Sequence, residues 1–122
     1  MLNILEQGKN LLLPKIVNDN IEFYIVPNLE MLEKGSFEIM EPKDNSQKAK
    51  KIDCILVPTV GISKLGYRLG YGRGYYDKFL SLTDTVKISL TYSKQIVKSI
   101  PSDLHDIKMD WIITEDESVK IL

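Results

Sequence analysis

Between Arg68 and Asp77 the chain reads Arg68-Leu69-Gly70-Tyr71-Gly72-Arg73-Gly74-Tyr75-Tyr76-Asp77, three glycines at alternate positions with Arg68 before them and Arg73 among them, closed by two tyrosines and a carboxylate. These residue types suit an anion. Glycine adopts positive φ and lets main-chain N–H groups converge on a ligand with no Cβ in the way. Arg68 and Arg73 add guanidinium donors, and Asp77 could hold a magnesium ion brought in with a polyphosphate. The same letters also suit a plain turn between a strand and a helix, with Asp77 only complementing the helix's first turn, and bare spacing does not decide between the two. The stretch is not the Walker pattern, which ends in Gly-Lys followed by Ser or Thr, and it lacks the spacing of the dinucleotide fingerprint.

The elements that must position these residues are legible on both sides. From Gly74 onward Tyr75, Tyr76, Phe79 and Leu80 recur at spacings of three and four, which predicts a helix. The loop would then end at a helix N-terminus, with unpaired N–H groups and about half a positive elementary charge. Upstream, residues 52–57 are apolar almost throughout and form the clearest strand, stopped by Pro58 just before the loop. Residues 86–90 supply the next strand, 111–114 another and 119–122 a short last one. Strands alternating with helices imply an α/β fold with a largely parallel sheet and ligands outside the strands' carboxyl ends. Nearer the start, residues 3–7 read as a helix end that Gly8 caps in the left-handed conformation. Residues 11–14 and 21–26 are strand candidates closed by Pro14 and Pro27, and Leu29, Met31 and Leu32 suggest a helical turn ended by Gly35. Residues 43–51 read as an exposed polar loop.

A chain of 122 residues, 43% hydrophobic and 27% charged, fits a single domain over residues 1–122. Sixteen basic against seventeen acidic residues leave a net charge of -1, which argues against nucleic acid or an anionic membrane as partner. The one basic cluster, Lys48, Lys50 and Lys51, reads as a solvated loop. Cys54 is the sole cysteine, which rules out an intramolecular disulfide, and its apolar run leads us to expect a buried thiol. With no signal-peptide pattern at Met1 and no stretch of membrane-spanning length, the expected location is the cytoplasm. His105 is the only histidine and no nucleophile motif accompanies it.

Leu56-Val57-Pro58 followed by Gly66-Tyr67-Arg68-Leu69-Gly70-Tyr71-Gly72-Arg73-Gly74-Tyr75-Tyr76-Asp77 resembles the signature of the 5-formyltetrahydrofolate cyclo-ligase family. Gln7-Gly8-Lys9 before Leu13-Pro14, Phe23-Tyr24, Glu41-Pro42, His105-Asp106 and Asp110-Trp111-Ile112-Ile113-Thr114-Glu115 match further family landmarks in order, so the resemblance covers essentially the whole chain. It implies a three-layer α/β sandwich with a mostly parallel sheet, the NagB/RpiA/CoA transferase-like fold. It also implies an ATP-dependent ligase that uses Mg2+ and converts 5-formyltetrahydrofolate to 5,10-methenyltetrahydrofolate, releasing ADP and phosphate. By this resemblance Arg68, Leu69, Gly70, Tyr71, Gly72, Arg73, Gly74, Tyr75 and Tyr76 form the nucleotide and substrate site. Arg73, facing the phosphates, and Tyr76, against the folate, take the catalytic parts, and Asp77 and Asp110 match the two magnesium-binding aspartates. Phe23, Tyr24 and Tyr75 could wall a flat pterin, although core packing is the commoner use of such rings. Glu41 and Asp106 receive no chemical step.

The sequence departs from the family pattern at its front. Members carry a further N-terminal region, roughly a third of a typical chain, with a helix whose Lys and Arg contact ATP phosphates and a glutamate that contacts the folate. None of these is assigned here, and a homo-oligomer or a partner chain could cover what that region covers. Two other readings stand beside the enzyme: a nucleotide- or phosphate-binding module without turnover, and an interaction protein whose glycines serve only the turn.

Overall fold

The computed structural model describes residues 2–35, 39–70, 74–101 and 107–121. Two compact units make up the chain, Met1–Lys51 and Ile52–Leu122. The first opens with helix α1 (Leu2–Glu6), and Gly8, at φ +73°, ends it as expected. Gly8 N–H donates to the Leu5 carbonyl and Lys9 N–H to that of Ile4, the paired bonds of a Schellman stop. Strands β1 (Leu12–Val17) and β2 (Asn20–Ile25) then pair antiparallel from Leu12↔Ile25 to Val17↔Asn20. Their two-residue turn is Asn18-Asp19, both at positive φ, the backbone shape that lets a tight hairpin follow the strands' twist. Pro14 does not close β1 but lies within it. The strand is an edge of its three-stranded sheet, and the pairing alternation turns the position of Pro14's missing N–H away from β2.

After a 3-10 turn at Leu29–Met31, β3 (Leu32–Lys34) pairs antiparallel with β4 (Met40–Pro42), so extended chain begins where the sequence suggested helix. The polar 43–51 segment contains the short β5 (Gln47–Lys48), which adds to β2. Leu11, Val26 and Leu32 form the buried centre of this unit, with Leu5, Leu13, Leu29 and Met31 packed against them. At its rim Lys15 Nζ donates to the Pro42 carbonyl at 3.2 Å, is hydrogen-bonded to Asp44 and lies 3.8 Å from Glu33. The Asp44 contact, followed by the charges of Glu33 and Glu41, outweighs burial and raises the Lys15 pKa above its ordinary value of 10.5.

The second unit carries the parallel sheet. Strands β6 (Cys54–Val57), β9 (Val86–Leu90) and β11 (Trp111–Ile113) run parallel, and β12 (Ser118–Lys120) closes the sheet antiparallel beside β11. A smaller sheet joins β7 (Gly61–Ser63), β8 (Arg68–Leu69) and β10 (Ile96–Val97). Helix α2 (Tyr75–Leu80) lies between β8 and β9 in sequence. The α/β class is borne out, with the parallel pairing confined to this unit among the described residues. Ile55 and Val57 of β6, Ile62, Leu80, Met109 and Ile112 are its buried apolar side chains. Cys54 is exposed, against expectation, because burial along β6 alternates and Cys54 shares the open face with Leu56. No helix among the described residues is long and apolar enough to cross a membrane.

Candidate functional site at the carboxyl end of β6

The route from β6 to the Gly-rich stretch is folded more tightly than a simple loop. Past Pro58, β7 turns back through Gly66 onto β8 with Ile62 opposite Arg68 and Gly61 opposite Leu69. Arg68 and Leu69 therefore sit on a hairpin strand, whose length of two residues is too short for any periodicity to reveal. Gly66 has φ +95°, and a Cβ there would stand 3.1 Å from the Met109 carbonyl oxygen. The same oxygen-rich corner is sewn by Gly66 N–H donating to Ser63 O at 3.0 Å and Met109 N–H to Gly66 O at 2.9 Å.

Strand β8 aims Arg68 into the interior, where its side chain is only 5% exposed. Nη1 donates to the Pro58 carbonyl at 3.0 Å, Nη2 lies 3.5 Å from Asp77 Oδ1, and the guanidinium carbon stands 5.9 Å from the centre of the Tyr76 ring. Nε, equally buried, has no hydrogen-bond partner. Gly70 lets this guanidinium pass close to the backbone, since a Cβ would fall 2.3 Å from Nη1. It does so without positive φ. Gly74 does have positive φ, +72°, and a Cβ there would meet open space. It caps α2, whose first intrahelical bond runs from Lys78 N–H to Gly74 O at 3.0 Å. The N–H groups of residues 75–77 thus stand outside the helical ladder. With only six residues, α2 offers those amides rather than a long dipole. Burial pushes the Tyr76 phenol above its usual 10.0, and the nearby Arg68 charge pulls the other way.

Beside this group lies a polar network that sequence reasoning missed. Thr59 Oγ1 and Ser89 Oγ, both on buried residues, are 2.7 Å apart, and Thr59 Oγ1 also donates to Val57 O at 3.0 Å. Gln95 uses both ends of its amide. Oε1 accepts from Thr91 Oγ1 and from Tyr92 N–H, each at 2.7 Å, while Nε2 donates to Val60 O at 3.1 Å and Thr59 O at 3.4 Å. The only local signal was a Gln three residues beyond a turn start, one half of a capping box.

Of the residues singled out from sequence, Arg68, Leu69, Gly70, Gly74, Tyr75, Tyr76 and Asp77 converge here. Tyr71, Gly72 and Arg73 lie outside the described residues, as do His105 and Asp106. Asp110 stands immediately before β11. Its Oδ2 accepts from Lys87 N–H at 2.8 Å and sits 3.4 Å from Lys87 Nζ. Lys87 is level with Ile55, three residues and so roughly 10 Å of strand before Pro58. Phe23 is buried in the first unit's β2, and Tyr24 beside it donates to Glu22 at 3.4 Å. No group of three or more His, Cys, Asp or Glu side chains forms a metal cage among the described residues. A lone Asp77 nevertheless fits magnesium, which is commonly held by one or two carboxylates together with substrate phosphate oxygens and water.

A profile of the 5-formyltetrahydrofolate cyclo-ligase family matches residues 1–115. The chain is 31% identical to the 5-formyltetrahydrofolate cyclo-ligase of Mus musculus, covering 93% of this chain and 64% of the relative. It is 29% identical to the probable 5-formyltetrahydrofolate cyclo-ligase of Schizosaccharomyces pombe, over 94% of this chain and 66% of the relative. Among solved structures, Aquifex aeolicus 5,10-methenyltetrahydrofolate synthetase superposes with a TM-score of 0.86 at 36% identity, covering 98% of this chain and 61% of that one. The Mycoplasma pneumoniae 5,10-methenyltetrahydrofolate synthetase gives 0.68 at 30% identity, over 90% of this chain and 58% of that one. The chain thus spans somewhat less than two thirds of the length of each of these four proteins.

Proposed function

Because the chain belongs to the 5-formyltetrahydrofolate cyclo-ligase family, we propose that it acts in the ATP- and magnesium-dependent conversion of 5-formyltetrahydrofolate to 5,10-methenyltetrahydrofolate. One observation supports this most directly: a buried guanidinium, a carboxylate, a phenol and a glycine-capped helix start meet at the carboxyl end of β6. ATP supplies the phosphoryl group that turns the formyl oxygen into a leaving group, after which the neighbouring folate nitrogen closes the ring and phosphate departs. The chain's part is positioning and charge stabilisation. Gly74 and the amides of residues 75–77 receive phosphate oxygens, Arg73 is the proposed source of positive charge for the transferred group, and Asp77 would hold the magnesium ion. Arg68 holds Asp77 and Tyr76 in place, and Tyr76 borders the folate. Asp110, whose carboxylate is bonded to Lys87, would be the second magnesium ligand. The cytoplasm is the proposed location, and a second copy or a partner chain remains part of the proposal.

The test is absorbance of the methenyl product from purified protein supplied with ATP, magnesium and 5-formyltetrahydrofolate. Product formation is expected, together with a rise in melting temperature on adding magnesium-ATP that Arg73→Ala abolishes. Nucleotide binding without product would replace the enzyme by a binding module. No shift at millimolar nucleotide would leave the glycines as a turn and nothing more.

A further inference from the structure

We propose that Gln95 is a positioning residue for this site, acting through the 58–60 segment. The four hydrogen bonds of its amide tie two pieces of chain together, the 91–92 corner after β9 and the carbonyls of Thr59 and Val60. The 58–60 segment is in turn what the start of the Gly-rich stretch hangs from. Pro58 O accepts from Arg68 Nη1 at 3.0 Å, and Val60 N–H donates to Leu69 O at 2.8 Å. Val60 is therefore held by its oxygen to Gln95 and by its nitrogen to Leu69. Backbone pairing repeats the link one step on, where β10 runs parallel to β7 with Ile96 opposite Ile62. Gln95 reaches the site through this segment, whose Pro58 O and Val60 N–H bond Arg68 and Leu69.

An amide is the right chemistry for this place. It faces two donors with an oxygen and two carbonyl oxygens with an NH2 group, and neither Glu nor Leu can do both. A carboxylate at 95 would set negative charge against the carbonyls of Thr59 and Val60, whereas a protonated carboxyl would give back one donor.

The consequence for ligand binding rests on the proposed nucleotide site, but the positioning claim has its own readout. In Gln95→Ala, exchange of the Val60 amide with solvent should speed up by about tenfold or more while amides of β11 exchange as in the parent protein. At a temperature where both proteins are folded, the dissociation constant for magnesium-ATP should rise about tenfold. Gln95→Glu should match the alanine variant near about pH 8 and recover part of the Val60 protection only below the ordinary glutamate pKa of about 4.3. Unchanged Val60 exchange in Gln95→Ala overturns the proposal whether or not nucleotide binds. So does a uniform loss of protection across both sheets, or a lowered melting temperature with nucleotide affinity intact, since either would make Gln95 a general stabiliser. If the parent protein binds no nucleotide, the functional reading falls and the exchange experiment still decides the role of Gln95.

Discussion

Arg68 is where one side chain decides the most. Its guanidinium is buried, bonded to a carbonyl, close to a carboxylate and set over a ring, so removing it leaves several groups without their neighbour. Arg68→Ala should cost roughly 2–4 kcal/mol in urea denaturation, from lost packing and an orphaned Pro58 carbonyl. Asp77→Asn should differ in kind. Asp77 is 45% exposed and its Arg68 contact is 3.5 Å long, so stability should move by less than about 1 kcal/mol while magnesium-dependent nucleotide binding weakens about tenfold or more. The residue types here were legible, but not always their reasons. Gly70 makes room for Arg68 rather than adopting positive φ, because the hairpin brings a long side chain back over it. Cys54 was misplaced because an apolar run says that a strand is present and not which of its two faces is covered.

Among the elements, the longer apolar runs of the second unit and two of the punctuating glycines were read well. Residues 86–90 and the start of β11 match the expected strands, and Gly8 and Gly74 end and begin their helices. What escaped were the elements made by pairing. The strands β7 and β8 have three and two residues, and only the turn at Gly66 makes them partners. The same holds for Pro14, whose strand is tolerated because it is an edge. The glycines allow a graded test. Gly8→Ala meets no atom within 4 Å and should cost only the left-handed backbone penalty, about 1 kcal/mol. Gly66→Ala adds a clash with the Met109 carbonyl and should cost at least about 2 kcal/mol, read from the shift in urea midpoint. Equal costs would mean that the crowding at Met109 relaxes freely.

For the molecule as a whole, charge sets an alkaline limit that both units share. Lys15 in the first and Tyr76 in the second each have a folded pKa above the ordinary value, 10.5 and 10.0 respectively. For a group of either kind the unfolded chain releases its proton first, so stability is fully present below the ordinary pKa and falls as pH rises through the folded one. The urea midpoint should therefore hold from about pH 7 to about pH 9 and drop by about pH 11, and Lys15→Met should flatten part of that drop. A family likeness across residues 1–115 was legible from the landmark motifs, whereas the division into two compact units was not, because the polar 43–51 segment reads equally well as a surface loop within one domain. The exposed thiol on β6 has a practical use. Cys54 is the chain's one sulfhydryl and opens β6, four positions before Pro58, so a maleimide fluorophore can be attached there without engineering, at the end of the strand opposite the proposed site, and used to watch β6 as nucleotide is titrated in.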